Sequence, residues 1–203
     1  MSIQARTERY QADLSAGSLM LPESRRIAEL MLRRPDETDW NRAIKVDNIL
    51  QKSTPSTAVR QARLIRFRLE LLGPRAWTLI AQGESEPAVQ TLFAGALLHS
   101  RLLYDFVRQV LTGHHRRLDL EFHPGEWDPF LAECAARDPS LAAWTASTRA
   151  KLLQVVVRIL VESKYIESSR TLRLRAPHLH PQVRGLLLGL GQDALIATME
   201  LQV

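Results

Sequence analysis

Apolar side chains at Val89, Leu92, Phe93, Ala96, Leu103, Phe106, Val107 and Val110 recur every three or four residues through SEPAVQTLFAGALLHSRLLYDFVRQVLTG, residues 85–113. A stripe sustained at that period fits an α-helix and not a strand, whose successive side chains alternate between faces. The spacing therefore predicts a long central helix. His99 lies near the stripe with no second histidine one turn away, and it reads as a packed core residue rather than a metal ligand.

The same period governs most of the remaining chain. LPESRRIAELMLRR opens with a proline suited to a first helical turn and turns Ile27, Leu30 and Met31 inward. DETDWNRAIKVDNILQ directs Trp40, Ile44 and Ile49 inward and leaves Arg42 and Lys45 to solvent. TRAKLLQVVVRILVESKYI buries Leu152, Leu153, Val156, Ile159 and Leu160 opposite Lys151 and Arg158. Strand-like alternation is confined to SSRTLRLRAPHLHPQVRG, where Leu and Arg alternate over 172–175 before Pro177 and Pro181. That stretch reads as a short extended segment or small β-hairpin ahead of a last helix. The expected fold class is all-α, a compact helical bundle forming one domain over residues 1–203, with 166–203 as a candidate C-terminal appendage.

Several function classes are excluded by what the chain lacks. The longest apolar runs, LFAGALL at 92–98 and LLQVVVRILV at 152–161, fall short of the roughly 20 residues a bilayer requires. Arg6, Glu8, Arg9 and Asp13 interrupt the segment where a secretion signal would need an apolar core. The lone cysteine, Cys134, excludes an internal disulfide and fits a reducing cytoplasm. No phosphate-binding glycine loop, HExxH, paired CxxC or GxSxG is present, so neither an enzyme nor a cofactor is expected. His114, His115 and His123, among Asp119, Glu121 and Glu126, read as part of a solvated loop over 114–129 rather than as a metal site.

What remains is charge. A net charge of +5 and a pI near 9.9 suit a polyanionic partner. The segment STPSTAVRQARLIRFRLELL, residues 53–72, concentrates it: at about 100° per residue, Arg60, Arg63 and Arg66 fall within an arc of about 120°. Leu64, Ile65, Leu69, Leu71 and Leu72 occupy the other side. From Arg42 to Arg68 the chain holds seven Lys or Arg residues against one acid, Asp47. Lys52 stands at the entrance, and the hydroxyls at 53–57 suit both an N-cap, at Ser56 or Thr57, and a phosphate at a helix start. Arg68 falls inside the apolar arc, where a guanidinium must snorkel out or find a carboxylate; Glu70 is a candidate partner for it or for a neighbour.

HHRR at 114–117 and RTLRLRAPHLH at 170–180, with Arg173 and Arg175, are further basic clusters. Aromatic residues are only 6%, and the tryptophans sit at helix-core spacing, so contact with the phosphate backbone outranks stacking on bases. The alternative for every cluster is an ordinary solvated face.

ESRRIAELML, WNRAIKVDNILQKSTPSTAVRQARLIRFRLELL, LHSRLLYDFV and TRAKLLQVVVRILVESKYI, in this order and spacing, resemble the BrxA proteins of BREX phage-defence systems. The resemblance runs over roughly 10–190 and is most specific from Asp47-Asn48-Ile49-Leu50-Gln51-Lys52 through Arg68-Leu69-Glu70. It implies an all-helical fold similar to the RNA-binding antitermination factor NusB. It also implies DNA binding, and work beside other BREX proteins that include a methyltransferase, an ATPase and a protease-like or phosphatase-like component. It carries no agreed set of contact residues. The expected nucleic-acid site is therefore the charge-based set Arg42, Lys45, Lys52, Arg60, Arg63, Arg66, Arg173 and Arg175, gripping DNA, duplex and without sequence preference. A protein-interaction adaptor that docks other BREX components and an RNA-binding protein are the alternatives.

Overall fold

Thr54 opens the helix that carries the arginine stripe: its Oγ1 accepts from the Thr57 amide at 3.3 Å, and Pro55 occupies the first turn. The N-cap is thus two residues before Ser56 and three before Thr57, because the proline fixes where helical backbone can begin. The computed structural model describes residues 9–202. Its helices follow one another as α1 (Leu21–Leu32), α2 (Glu37–Lys45), α3 (Pro55–Glu70), α4 (Pro74–Gln82), α5 (Ser85–His99), α6 (Arg101–Phe106), α7 (Thr112–Arg117), α8 (Trp127–Arg137), α9 (Ala146–Glu162), α10 (Pro181–Gly189) and α11 (Asp193–Met199). The fold is all-α, and no described helix is long and apolar enough to cross a membrane. Arg6 and Glu8, which enter the reading against a secretion signal, lie outside the described residues.

The axis of the core is α5, whose residues from Pro87 to Leu98 are all buried except Val89. α1, α3, α4, α10 and α11 pack around it. From the far end of the chain, Val183, Leu187, Leu195, Ile196 and Met199 join the same apolar cluster. α3 and α5 approach closely at Gly95, where a Cβ would stand 3.0 Å from the Arg68 carbonyl oxygen and 3.1 Å from Leu72 Cδ1. Gly73, at φ 77°, ends the arginine helix and hands the chain to Pro74 at the start of α4.

The long central helix expected over 85–113 is two rods. Ser100 leaves helical backbone, at φ −109° and ψ 108°, and its Oγ accepts from the Leu103 amide at 3.2 Å to cap α6. A wide π turn, Val107–Leu111, then joins α6 to α7. The apolar period survives this break, which is why the pattern alone does not reveal it.

HHRR belongs to α7 and not to a loop; the chain reverses after it at Leu118, in the left-handed region at φ 55°. His114 is almost fully buried, with Nε2 2.8 Å from Glu126 Oε2 and Nδ1 3.0 Å from Asp119 Oδ2. The imidazole clamps the returning loop to the helix, and no group of three potential ligands among the described residues can hold a metal ion. The extended segment near the C-terminus forms two antiparallel bridges, Ile166 with Leu174 and Glu121 with Arg173, without a sheet.

Candidate nucleic-acid interface

Arg60 and Arg63 are exposed, one turn apart, and neither has a hydrogen-bond or ion-pair partner among the described residues. Arg66 shares their face but is occupied. Its Nε donates to Glu70 Oε1 at 2.8 Å, and its guanidinium lies 4.6 Å from the centre of the Trp40 ring. Glu70 therefore neutralises Arg66 and not Arg68. Both partners are about half exposed, so solvent keeps the pair weak and open to exchange for another anion.

Arg68 points the other way. Only 3% exposed, it donates from Nη1 to the Ser18 carbonyl at 2.6 Å and from Nη2 to that of Gly17 at 3.4 Å. Glu162, at the end of α9, receives Ser18 Oγ at 2.7 Å and the Leu19 amide at 2.8 Å. Burial pulls the Arg68 guanidinium down to about 10, while the charges of Asp13 and Glu162 oppose that fall; the group stays protonated at neutral pH. The arginine inside the apolar arc is a structural tie between α3 and the segment before α1.

The other expected contacts divide. Arg42 and Lys45 are exposed on α2, away from the side where Ala43 and Ile44 are buried and Trp40 meets Arg66. Arg42 reaches Asp47 only at 3.9 Å. Lys52 is not free: its Nζ lies 2.5 Å from Glu23 Oε1, and both side chains are about four-fifths buried. Asn48 closes that loop by accepting from the Lys52 amide and donating to its carbonyl. Arg173 and Arg175 are exposed on the bridged segment, Arg175 pairing with Glu167 at 3.3 Å. The groove beside Arg175 is lined from Leu111 to Leu120, at 165, at 174–176 and at Leu201, with nothing from α3. That groove shares no lining residue with the groove beside Arg60 and Arg63.

Beside Arg60 and Arg63 the structure adds a groove of about 540 Å³ between α3 and the 3₁₀ turn Asp13–Ala16. Leu64 and Phe67 form its apolar side; Phe67 is 44% exposed, and its ring meets that of His99 nearly at right angles, centroids 5.2 Å apart. His99 Nε2 is 2.7 Å from Asp13 Oδ2 on the opposite wall. Burial pushes the Asp13 carboxyl up, but the His99 hydrogen bond, with help from the Leu14 amide and Arg68, brings it below the ordinary value. A sequence signal for Phe67 exists: on the helical wheel it falls inside the arc of Arg60 and Arg63, an aromatic outside the buried stripe. Asp13 and His99 are brought there by tertiary packing alone.

A family model described as BrxA matches residues 8–189. The chain belongs to the BrxA family. The BREX protein BrxA of Paramagnetospirillum magneticum (strain ATCC 700264 / AMB-1) is 40% identical over 195 residues, 96% of this chain and 98% of that protein. The BREX protein BrxA of Escherichia coli O9:H4 (strain HS) is 39% identical, covering 93% of this chain and 88% of that one. The crystal structure of an uncharacterized protein from Magnetospirillum magneticum matches with a TM-score of 0.88 at 39% identity, covering 96% of this chain and all of the other. Membership of the BREX BrxA family implies a role in phage defence.

Proposed function

We propose that this BrxA-family chain is a non-catalytic DNA-binding component of BREX defence that grips the duplex phosphate backbone in the cytoplasm with little sequence preference. The observation that carries the reading is the state of Arg60 and Arg63: two exposed guanidiniums on one face of a capped helix, with no acid among the described residues neutralising either. Such groups displace condensed counterions from DNA, giving affinity that falls steeply with salt and ignores sequence. Arg66 joins them by exchanging Glu70 for a phosphate, and Arg42 and Lys45 extend the positive field from α2. Lys52 is left out because Glu23 holds it.

The test is affinity for a mixed-sequence duplex from about 50 to 200 mM salt, with single-stranded DNA and RNA of equal length as competitors. Duplex binding with a steep linear fall of log affinity against log salt supports the reading. Preferential loss of the duplex to RNA would favour the NusB-like alternative. Negligible binding at the lowest salt, with capture of another BREX protein that survives high salt, would favour the adaptor.

A further inference from the structure

We propose that the groove between α3 and the turn Asp13–Ala16 holds one unstacked nucleotide, with its phosphate on Arg60 and Arg63 and its base against Phe67 and Leu64. The inference rests on the nucleic-acid reading of the stripe and adds what the groove takes.

Three observations converge there. Two guanidiniums without a partner among the described residues border the groove, so the ligand is anionic at one end. Phe67 leaves 44% of its surface open beside Leu64, although an aromatic ring with no ligand gains by closing onto the core. An aromatic side chain open to a groove offers a base of any identity a partner for stacking. The opposite wall is polar: Asp13 reaches His99 through Oδ2, and Nδ1 of that ring, whose side chain is only 8% exposed, has no partner among the described residues. The volume, about 540 Å³, lies in the ordinary range for small-molecule pockets.

The wall decides between ligand classes. An acidic peptide would satisfy the arginines but would press its carboxylates toward Asp13. A base instead offers donors there: the exocyclic amines of guanine, adenine and cytosine donate to a carboxylate, whereas thymine has no exocyclic amine. The geometry therefore favours an amino-bearing base, guanine above all, since its ring N–H and amine lie side by side. The nucleotide has two sources, a free monophosphate or an unpaired nucleotide at the end of a strand.

The full chain is titrated with deoxyguanosine monophosphate, thymidine monophosphate and inorganic phosphate, following side-chain chemical shifts. In parallel, a blunt duplex is compared with the same duplex bearing a short single-stranded overhang. The expected result is deoxyguanosine monophosphate binding about tenfold or more tightly than inorganic phosphate. Phe67→Leu, which keeps apolar packing, removes that gain, and Asp13→Asn narrows the gap between guanine and thymine. A matching gain for the overhang assigns the site to strand ends; its absence with tight monophosphate binding assigns it to free nucleotides. The proposal is overturned if the monophosphate binds no better than phosphate, if Phe67→Leu leaves the preference intact, or if an acidic peptide outcompetes the nucleotide. Should the blunt duplex keep its steep salt dependence meanwhile, only the groove inference fails; should that vanish too, the reading of the stripe fails with it.

Discussion

Arg68 Nη1 donates to the backbone carbonyl of Ser18 at 2.6 Å, fifty residues back in the chain, and this contact fixes the underside of the helix whose upper face carries Arg60 and Arg63. One helix thus uses identical side chains for opposite purposes, and burial decides which is which. Exposed guanidiniums remain available to anions, while the buried one satisfies carbonyls that water cannot reach.

Replacing Arg68 tests that division. Arg68→Met leaves the Ser18 and Gly17 carbonyls without their donor and removes a positive charge that favours the ionised Asp13 and Glu162. The expected loss is about 3 kcal/mol of unfolding free energy, read from urea titration. Arg68→Lys keeps the charge without the two-pronged donor and loses less. A loss under about 0.5 kcal/mol for the methionine variant would contradict the tie.

The approach of α3 to α5 makes Gly95 a second sensitive point. In Gly95→Ala the new Cβ would stand 3.0 Å from the Arg68 carbonyl, which is backbone and cannot swing aside. We expect about 2 kcal/mol of destabilisation and a Tm lower by about 4–8 °C in calorimetry.

Acid should loosen the segment before α1. The Asp13 and Asp138 carboxyls both lie below the ordinary 3.8, Asp138 chiefly because Ser140 donates to it, with the Tyr10 amide adding to the effect. A carboxyl depressed on folding stabilises the native state fully above its unfolded value, and that contribution is lost as pH falls through the folded value. Tm should therefore hold down to about pH 4 and drop below it. Asp138→Asn should lower Tm at neutral pH and flatten the acid limb in a series of thermal melts.

Glu70 competes with phosphate for Arg66. Glu70→Gln should tighten duplex binding by about two- to threefold at low salt, and the gain should shrink as salt rises. Stability should change by less than about 0.5 kcal/mol, as expected for a half-exposed i, i+4 pair. Unchanged affinity measured by fluorescence anisotropy would place Arg66 outside the interface.

The helices and the arginine face were legible in the sequence because both follow from local period. Arg60 and Arg63 had to be exposed once Leu64, Ile65 and Leu69 were buried. The fate of Arg68 was half legible: its position demanded a partner, but the Ser18 carbonyl and Glu162 reach it only through folding. Lys52 read as free because its partner, Glu23, lies 29 residues earlier. The break at Ser100 was hidden by an apolar pattern that continues across it. His114 looked solvated among polar neighbours, yet Asp119 and Glu126 return to enclose it. The groove drew on both kinds of information, since Phe67 belongs to a local face and Asp13 and His99 are tertiary neighbours.

The most direct test of the central claim is the salt dependence of duplex affinity for the native chain against the Arg60→Ala, Arg63→Ala double variant. Each phosphate contact contributes about 0.9 to the slope of log affinity against log salt, so removing both should flatten it by about 2 for any duplex sequence, with Tm unchanged. An unchanged slope and affinity in a variant that melts like the native chain would contradict the assignment of this helix face to DNA.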